Sequence, residues 1–119
     1  MSDSLPNLTQ ITLATVRTPE MVRFYDTLFG AQLQAVRAYG ATLYHGALAG
    51  IPFVICPNEI AGVEAQQSRH QLTFRVADLS GLLQIVEIAG GSVHTSAAES
   101  VIGAILRDPD GNTIEVIQA

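Results

Sequence analysis

The 119-residue sequence contains no lysine, and this absence excludes several kinds of enzyme. Schiff-base chemistry and pyridoxal phosphate both need a lysine amine, and the phosphate-binding P-loop motif includes one. The only cysteine, Cys56, has no partner for a disulfide within the chain or for a Cys-x-x-Cys motif. We therefore expect a protein of the reducing cytoplasm.

Positive charge is scarce as well. Six basic residues stand against eleven acidic ones, and the net charge is −5. A protein that binds phosphates needs the opposite balance, so we expect no nucleic acid and no anionic membrane as partner.

The N-terminus lacks the basic and apolar regions of a secretory signal, and no apolar run approaches the roughly 18 residues of a membrane span. With 48 % hydrophobic residues, the sequence predicts a single folded domain over residues 1–119.

The first half of the chain has the pattern of a strand, a helix and three further strands. Alternation predicts a strand over residues 8–16. Thr18 is expected to cap a helix over residues 19–29, which ends at Gly30. Further strands are predicted over residues 32–39, 41–48 and 51–56.

The same order returns after a polar segment. Residues 58–69 are expected to form a linker between a module over 8–57 and a module over 70–118. Asp78 can cap the second helix, which is expected to end at Gly90 and Gly91. The strands of the second module are predicted over residues 70–77, 92–97, 100–107 and 112–118. Residues 108–111 (DPDG) have the composition of a turn between the last two strands.

The two halves align with a constant offset of 61 residues. The segment QITL at 10–13 matches QLTF at 71–74, and Gly30 and Gly50 match Gly91 and Gly111. Several matches in one register indicate a duplicated βαβββ unit, and neither unit is large enough to close a core alone.

Alternation also sorts the strand residues by face. Ile11, Leu13, Leu72, Phe74 and Val76 are expected to pack under the helices. The opposite faces are polar or small and either line a cleft or form a solvated sheet surface. The candidate ligand-binding residues are Gln10, Thr12, Tyr44, Val54, Gln71, Thr73, Arg75, Thr113 and Glu115. Tyr44 is equally suited to packing in a core or a dimer.

Three motifs in order suggest a family. RFYDTLFG after the first strand, FRVADL at the start of the second half and DPDGNTIEV near the end resemble the vicinal oxygen chelate superfamily, which includes glyoxalases, bleomycin resistance proteins and extradiol dioxygenases. The resemblance covers nearly the whole chain. It implies an α+β fold of two tandem βαβββ modules, whose open, curved mixed sheets surround a cleft, and commonly a homodimer.

The resemblance also implies where a metal would bind. Metal-using members take ligands from the first and last strand of each module, and the matching positions are Gln10, Gln71 and Glu115. Histidine is common at the first two, although some glyoxalases have glutamine at the first. The fourth ligand position would lie in the last strand of the first module, and the offset of 61 from Glu115 puts Val54 there. Because two amides and one carboxylate hold a divalent cation poorly, we expect no metal cofactor.

Other groups suggest different chemistry. Glu115 on a cavity wall could act as a general base, and we expect Arg75 either to pair with it or to reach solvent. His45, His70 and His94 are predicted to be ordinary strand or surface residues. Cys56 is predicted to be a buried, inert thiol.

Three functions follow from these observations. The favoured one is a small-molecule binding protein of the bleomycin-resistance type, without a metal, that binds or sequesters an organic ligand in a cleft. The alternatives are a metal-dependent lyase, isomerase or dioxygenase, and a dimerisation or regulatory domain with a vestigial cavity. Whether the protein is an enzyme stays open.

Overall fold

The computed structural model describes residues 6–95 and 103–119, which form two consecutive units of the same design. The first unit contains β1 (Ile11–Thr15), α1 (Thr18–Phe29), β2 (Gln34–Ala38), β3 (Ala41–Leu48) and β4 (Ile51–Pro57). The short helix α2 (Asn58–Ala61) follows. The second unit contains β5 (Leu72–Val76), α3 (Leu79–Ile85), β6 (Ser92–Thr95), β7 (Gly103–Arg107) and β8 (Thr113–Gln118).

Each unit builds one four-stranded mixed sheet. The first sheet has the order β1-β4-β3-β2 and the second has the order β5-β8-β7-β6. In each sheet the first strand runs parallel to the last, while the remaining neighbours are antiparallel. This is the predicted α+β fold of two open βαβββ sheets, and β1 and β5 are edge strands.

The strand pairing confirms the internal repeat. Ile11 pairs with Phe53 in the first sheet, and Leu72 pairs with Ile114 in the second, so both partners are displaced by 61 residues. The offset changes in the third strand, since Tyr44 faces Ile55 whereas Ala104 faces Val116. The third strand of the second unit is therefore displaced by 60 residues.

The turns explain this one-residue shift. In the first unit Ala49 and Gly50 close a two-residue hairpin, and both have the positive φ angles (50° and 82°) that this turn requires. In the second unit residues 108–112 close a longer loop between Arg107 and Thr113. Because a longer loop permits a different register, sequence alignment alone did not reveal the shift.

Helix ends agree in part with expectation. Gly30 adopts the left-handed conformation after α1, and the Asp78 side chain accepts a hydrogen bond from Gly81 N at 3.0 Å. The predicted N-cap at Thr18 is wrong, because Thr18 is already helical and Arg17 precedes the helix without a side-chain cap. Thr15 Oγ1 accepts from Arg17 N instead, and this bond turns the chain into α1.

Strand and linker boundaries also differ. The outer strands of each sheet are shorter than predicted, with β1 over 11–15 and β5 over 72–76. The linker is not wholly irregular, because α2 forms at its start. Residues 96–102, where parts of two strands were predicted, lie outside the described residues.

One apolar core joins the two units. It contains Phe24 and Tyr25 of α1 together with buried side chains of both sheets, such as Phe53 and Ile114. The Phe29 ring of α1 stacks on Phe74 of β5 with centroids 4.1 Å apart. The residues predicted to pack under the helices belong to this core, namely Ile11, Leu13, Leu72, Phe74 and Val76.

A smaller apolar cluster lies on the other face of the first sheet. Leu43, Val54 and Cys56 form it, and Ile60 of α2 packs against them. The first sheet is thus covered on both sides near β4. Among the described residues, no helix is long and apolar enough to cross a membrane.

The segment around Ala31 packs closely against Gly46 of β3. A Cβ at Gly46 would collide with the backbone oxygen of Ala31, which accepts a hydrogen bond from Ala47 N at 3.0 Å. We expect Gly46→Ala to lower the free energy of unfolding by about 1–3 kcal/mol in urea titration. Ala35→Ser, at an exposed position of β2, should change it by less than about 0.5 kcal/mol. Equal stability of the two variants would contradict this prediction.

Candidate functional site

A cleft of about 470 Å³ lies between the two units, where the edge strands β1 and β5 approach each other. The bottom of the cleft is formed by buried side chains of the core, including Tyr25, Phe53 and Ile114. Exposed polar side chains border it, and they are Gln10, Thr12, Ser68 and His70. The remaining lining residues are Leu8, Ile11, Leu13, Leu72, Asn112 and Thr113. This combination of an apolar interior and a few polar groups is typical of small-molecule sites, whose volumes are roughly 300–1,000 Å³.

The cleft contains three of the predicted ligand-binding residues. Gln10 and Thr12 lie at β1, and Thr113 lies at the start of β8. The Gln10 amide donates to Thr12 Oγ1 at 2.9 Å. Gln71 lies beside the cleft without lining it, and its amide donates to Thr113 Oγ1 at 3.0 Å.

Further predicted residues lie on the outer face of the second sheet, the face opposite the core. Thr73 pairs with Glu115, and Thr73 Oγ1 donates to the Glu115 carboxylate at 2.9 Å. Arg75 lies two residues after Thr73 on β5, beside Ile117. No ion pair joins Arg75 to Glu115 in the described part of the chain, so of the two alternatives for Arg75 the structure shows the exposed one. A short threonine on the adjacent strand reaches the carboxylate directly, and Arg75 is exposed to solvent.

Two predicted residues are used in packing. Tyr44 packs against the main core beside Ile55. Val54 is 3 % exposed and packs with Cys56 in the smaller apolar cluster under α2. Burial raises the pKa of the Cys56 thiol, and a raised pKa disfavours the reactive thiolate. Neither Tyr44 nor Val54 lines the cleft, because α1 and α2 cover both faces of the first sheet near β4.

The residues that would hold a metal do not suit a divalent cation. Gln10 and Gln71 are neutral amides that bond to neighbouring threonines, and Glu115 is the single carboxylate, already bonded to Thr73. Within the described ranges, no three His, Cys, Asp or Glu side chains come together in a way that could hold a metal. One carboxylate cannot offset the cost of dehydrating a divalent cation.

The histidines lie apart from one another. His70 lines the cleft, which its predicted surface position did not suggest. His94 Nδ1 accepts from Arg107 Nε at 3.3 Å on the second sheet. His45 is exposed on β3.

Sequence reasoning missed the residues that hold the cleft in place, which belong to the turn at 108–112. Asp108 is 3 % exposed and accepts four hydrogen bonds through its carboxylate. Tyr25 Oη donates to its Oδ2 at 2.8 Å. Asp110 N donates to Oδ1, and Asn112 donates through both its backbone N and its side-chain Nδ2. The signal in the sequence was the acidic DPDG segment, which was interpreted only as a turn between the last two strands.

The same turn binds β1 and the linker. Asp110 Oδ2 accepts from Thr15 Oγ1 at 2.6 Å and from Val16 N at 3.1 Å. Asn112 Oδ1 accepts from Ser68 N. The turn of the second unit therefore fixes the end of β1 and the linker, which both border the cleft.

Burial sets the protonation of this network. The pKa of Tyr25 is raised well above its ordinary value, first by burial and then by the nearby Asp108 charge. Burial also raises the pKa of Asp108, although the hydrogen bonds from Asn112 and Tyr25 oppose the increase. The phenol thus stays protonated and donates to the carboxylate.

Comparison with known proteins agrees with this fold. The model of the glyoxalase-like domain family matches residues 10–117. The chain therefore belongs to the glyoxalase-like domain family, within the vicinal oxygen chelate superfamily that its motifs resemble. No curated protein sequence gives a significant match.

Solved structures share the fold over nearly the full chain. A glyoxalase/bleomycin resistance protein/dioxygenase family enzyme from Burkholderia phytofirmans matches with a TM-score of 0.74 and 18 % identity, covering 95 % of this chain and 98 % of that one. The antibiotic-binding protein TnmS3 from a Streptomyces species matches with a TM-score of 0.70 and 17 % identity, covering 97 % of each. A variant of the fosfomycin resistance protein FosX from Listeria monocytogenes was solved in complex with Mn(II) and a dihydroxypropylphosphonic acid. It matches with a TM-score of 0.72 and 12 % identity, covering 97 % of this chain and 93 % of that one.

Tyr25 should stabilise the junction between the units. We expect Tyr25→Phe to lower the free energy of unfolding at neutral pH by about 1.5–3 kcal/mol, the usual contribution of a hydrogen bond to a charged group. Tyr39→Phe, at a tyrosine that is 83 % exposed, should change it by less than about 0.5 kcal/mol. Urea unfolding followed by circular dichroism measures both, and similar values would argue against the network.

The raised pKa of Tyr25 predicts a loss of stability at alkaline pH. A raised pKa means that the folded state holds the phenol proton more tightly than the unfolded state. This contribution is complete below the ordinary tyrosine pKa of about 10 and declines as the pH rises through the folded pKa. Above about pH 10 the stability of the wild type should fall more steeply than that of Tyr25→Phe. Parallel curves would contradict the assignment.

Proposed function

We propose that this protein binds a small organic molecule in the cleft between its two units, without a metal ion. The observation that carries the proposal is the cleft itself, with an apolar interior and polar groups at its mouth. A vestigial, filled cavity would favour a purely structural role, whereas about 470 Å³ of open volume favours a ligand.

The shape of the site supports binding by a fixed pocket. The hydrogen bonds from Tyr25, Thr15 and Ser68 to the turn at 108–112 fix α1, β1 and the linker around the cleft. A ligand that enters a fixed pocket loses less free energy to ordering the protein. TnmS3, a structural neighbour, is described as an antibiotic-binding protein, and we infer a comparable binding role, here without a commitment to any antibiotic.

The absence of a metal is part of the proposal. It is supported by the donor chemistry of Gln10, Gln71 and Glu115, which offers one carboxylate and two amides. The homodimer and the cytoplasmic location stay predictions.

Binding in the cleft can be tested with N-phenyl-1-naphthylamine, an uncharged aromatic dye that fluoresces in apolar sites. We expect the wild type to bind this dye, because the cleft interior is apolar. Gln10→Trp places an indole at the mouth of the cleft and should raise the dye Kd about tenfold. Gln34→Trp is the matched control, since it lies on β2 at the opposite edge of the first sheet. Equal Kd values for the two variants, or no binding by the wild type, would overturn the proposal.

Metal content provides an independent test. Protein purified without chelators should contain well below one equivalent of Mg, Mn, Zn, Ni or Fe, and these ions should not raise its Tm. Glu115→Ala should leave the metal content unchanged, as should the control Glu59→Ala on α2. Stoichiometric metal that is lost only in Glu115→Ala would favour a metal-dependent enzyme instead.

A further inference from the structure

A second cavity, of about 320 Å³, lies on the other side of β1. We call it the linker cavity because its outer wall is formed by linker residues, namely Ala61, Val63, Ala65, Gln66, Gln67 and Ser68. Thr12, Leu13 and Ala14 of β1 form its inner wall. Gln66, Gln67 and Ser68 provide most of its polar groups.

The linker cavity and the cleft share three lining residues, Thr12, Leu13 and Ser68. Thr12 and Leu13 belong to β1, whose side toward β5 has no strand partner. Thr12 and Leu13 are successive strand residues, so their side chains point to opposite faces of the sheet. A cavity that contacts both residues must therefore reach the edge of the strand, and both cavities do so. The two cavities are therefore adjacent across the free edge of β1.

Among the described residues, no aspartate, glutamate or arginine lines either cavity. The described ranges contain 15 such residues, so their absence from both linings is a chemical property of the site. A charged ligand would lose its hydration on entering and would find no carboxylate or guanidinium group in return. The linings therefore favour an uncharged ligand.

The polar groups of the linker cavity are free to contact a ligand. Gln66 and Gln67 are exposed, and their side chains form no hydrogen bond within the described residues. An amide side chain can donate to a carbonyl or hydroxyl oxygen and accept from a hydroxyl or amide. The deep part of the cleft, with Phe53, Leu72 and Ile114, offers apolar surface instead.

The outer wall of the linker cavity is fixed at two points. Asn58 Nδ2 donates to Ala65 O at 2.7 Å and holds the linker against α2. Ser68 N donates to Asn112 Oδ1 and holds the linker against the turn at 108–112. The linker thus has a defined position over β1.

From these observations, and resting on the proposed function of the cleft, we propose that the cleft and the linker cavity form one extended site. The site accepts an elongated, uncharged molecule. Its apolar body lies in the cleft, and a carbonyl- or hydroxyl-bearing end lies in the linker cavity near Gln66 and Gln67.

Three dyes test the class of ligand. N-phenyl-1-naphthylamine is short and uncharged, and 8-anilino-1-naphthalenesulfonate is the same molecule with a sulfonate. Nile red is longer, uncharged and carries a carbonyl at one end. We expect the sulfonate to weaken binding about tenfold or more relative to the parent dye, since no arginine lines either cavity. Equal or tighter binding of the sulfonate would overturn the uncharged class.

Ala65→Trp tests the extension into the linker cavity. The substitution fills this cavity and leaves the Ala65 backbone oxygen available to Asn58. We expect the Kd of Nile red to rise about tenfold and that of N-phenyl-1-naphthylamine to change less than about twofold. Ala35→Trp, on exposed β2, is the control for an added indole and should change neither value.

The outcomes separate this inference from the proposed function. If Ala65→Trp leaves Nile red binding unchanged, or weakens both uncharged dyes equally, the extended site is wrong while the cleft proposal stands. If the wild type does not bind N-phenyl-1-naphthylamine, the proposed function fails, and the extended site fails with it.

Discussion

The buried carboxylate of Asp108 is the constraint on which the junction of the two units depends. It lies at 3 % exposure in the turn between the last two strands and accepts hydrogen bonds from Tyr25, Asp110 and Asn112. A buried carboxylate without such donors would be strongly destabilising. The turn therefore keeps one conformation, and that conformation brings Asp110 and Asn112 to their partners in β1 and the linker.

This junction explains why the open volume lies where it does. The core packs α1 against both sheets through Phe24, Tyr25 and Phe29. The edge strands β1 and β5 are left side by side without pairing to each other. The space between them is the cleft, with core side chains at its depth and polar side chains at its mouth. A site between two repeated units is available only after both have folded together, since neither unit encloses it alone.

Repeats of this kind let similar strands take different roles. Thr12 and Thr73 are equivalent by the offset of 61, yet Thr12 borders two cavities while Thr73 donates to Glu115 on the outer face of the second sheet. Val54 and Glu115 are also equivalent. Ile60 of α2 packs over Val54, whereas Glu115 lies on the outer face of the second sheet and accepts a hydrogen bond from Thr73.

Periodicity and the repeat determined the order of elements and the faces of β1 and β5, because these depend on local alternation and on residues near in sequence. The family was indicated by the resemblance of three motifs. Such local information cannot show which face a later helix covers or which loops meet. Tertiary structure alone decided that Tyr44 and Val54 pack inward, that Arg75 does not reach Glu115, and that His70 and Ser68 border the cleft. It also decided the role of Asp108, whose partner Tyr25 lies 83 residues away, so that no local pattern joins them.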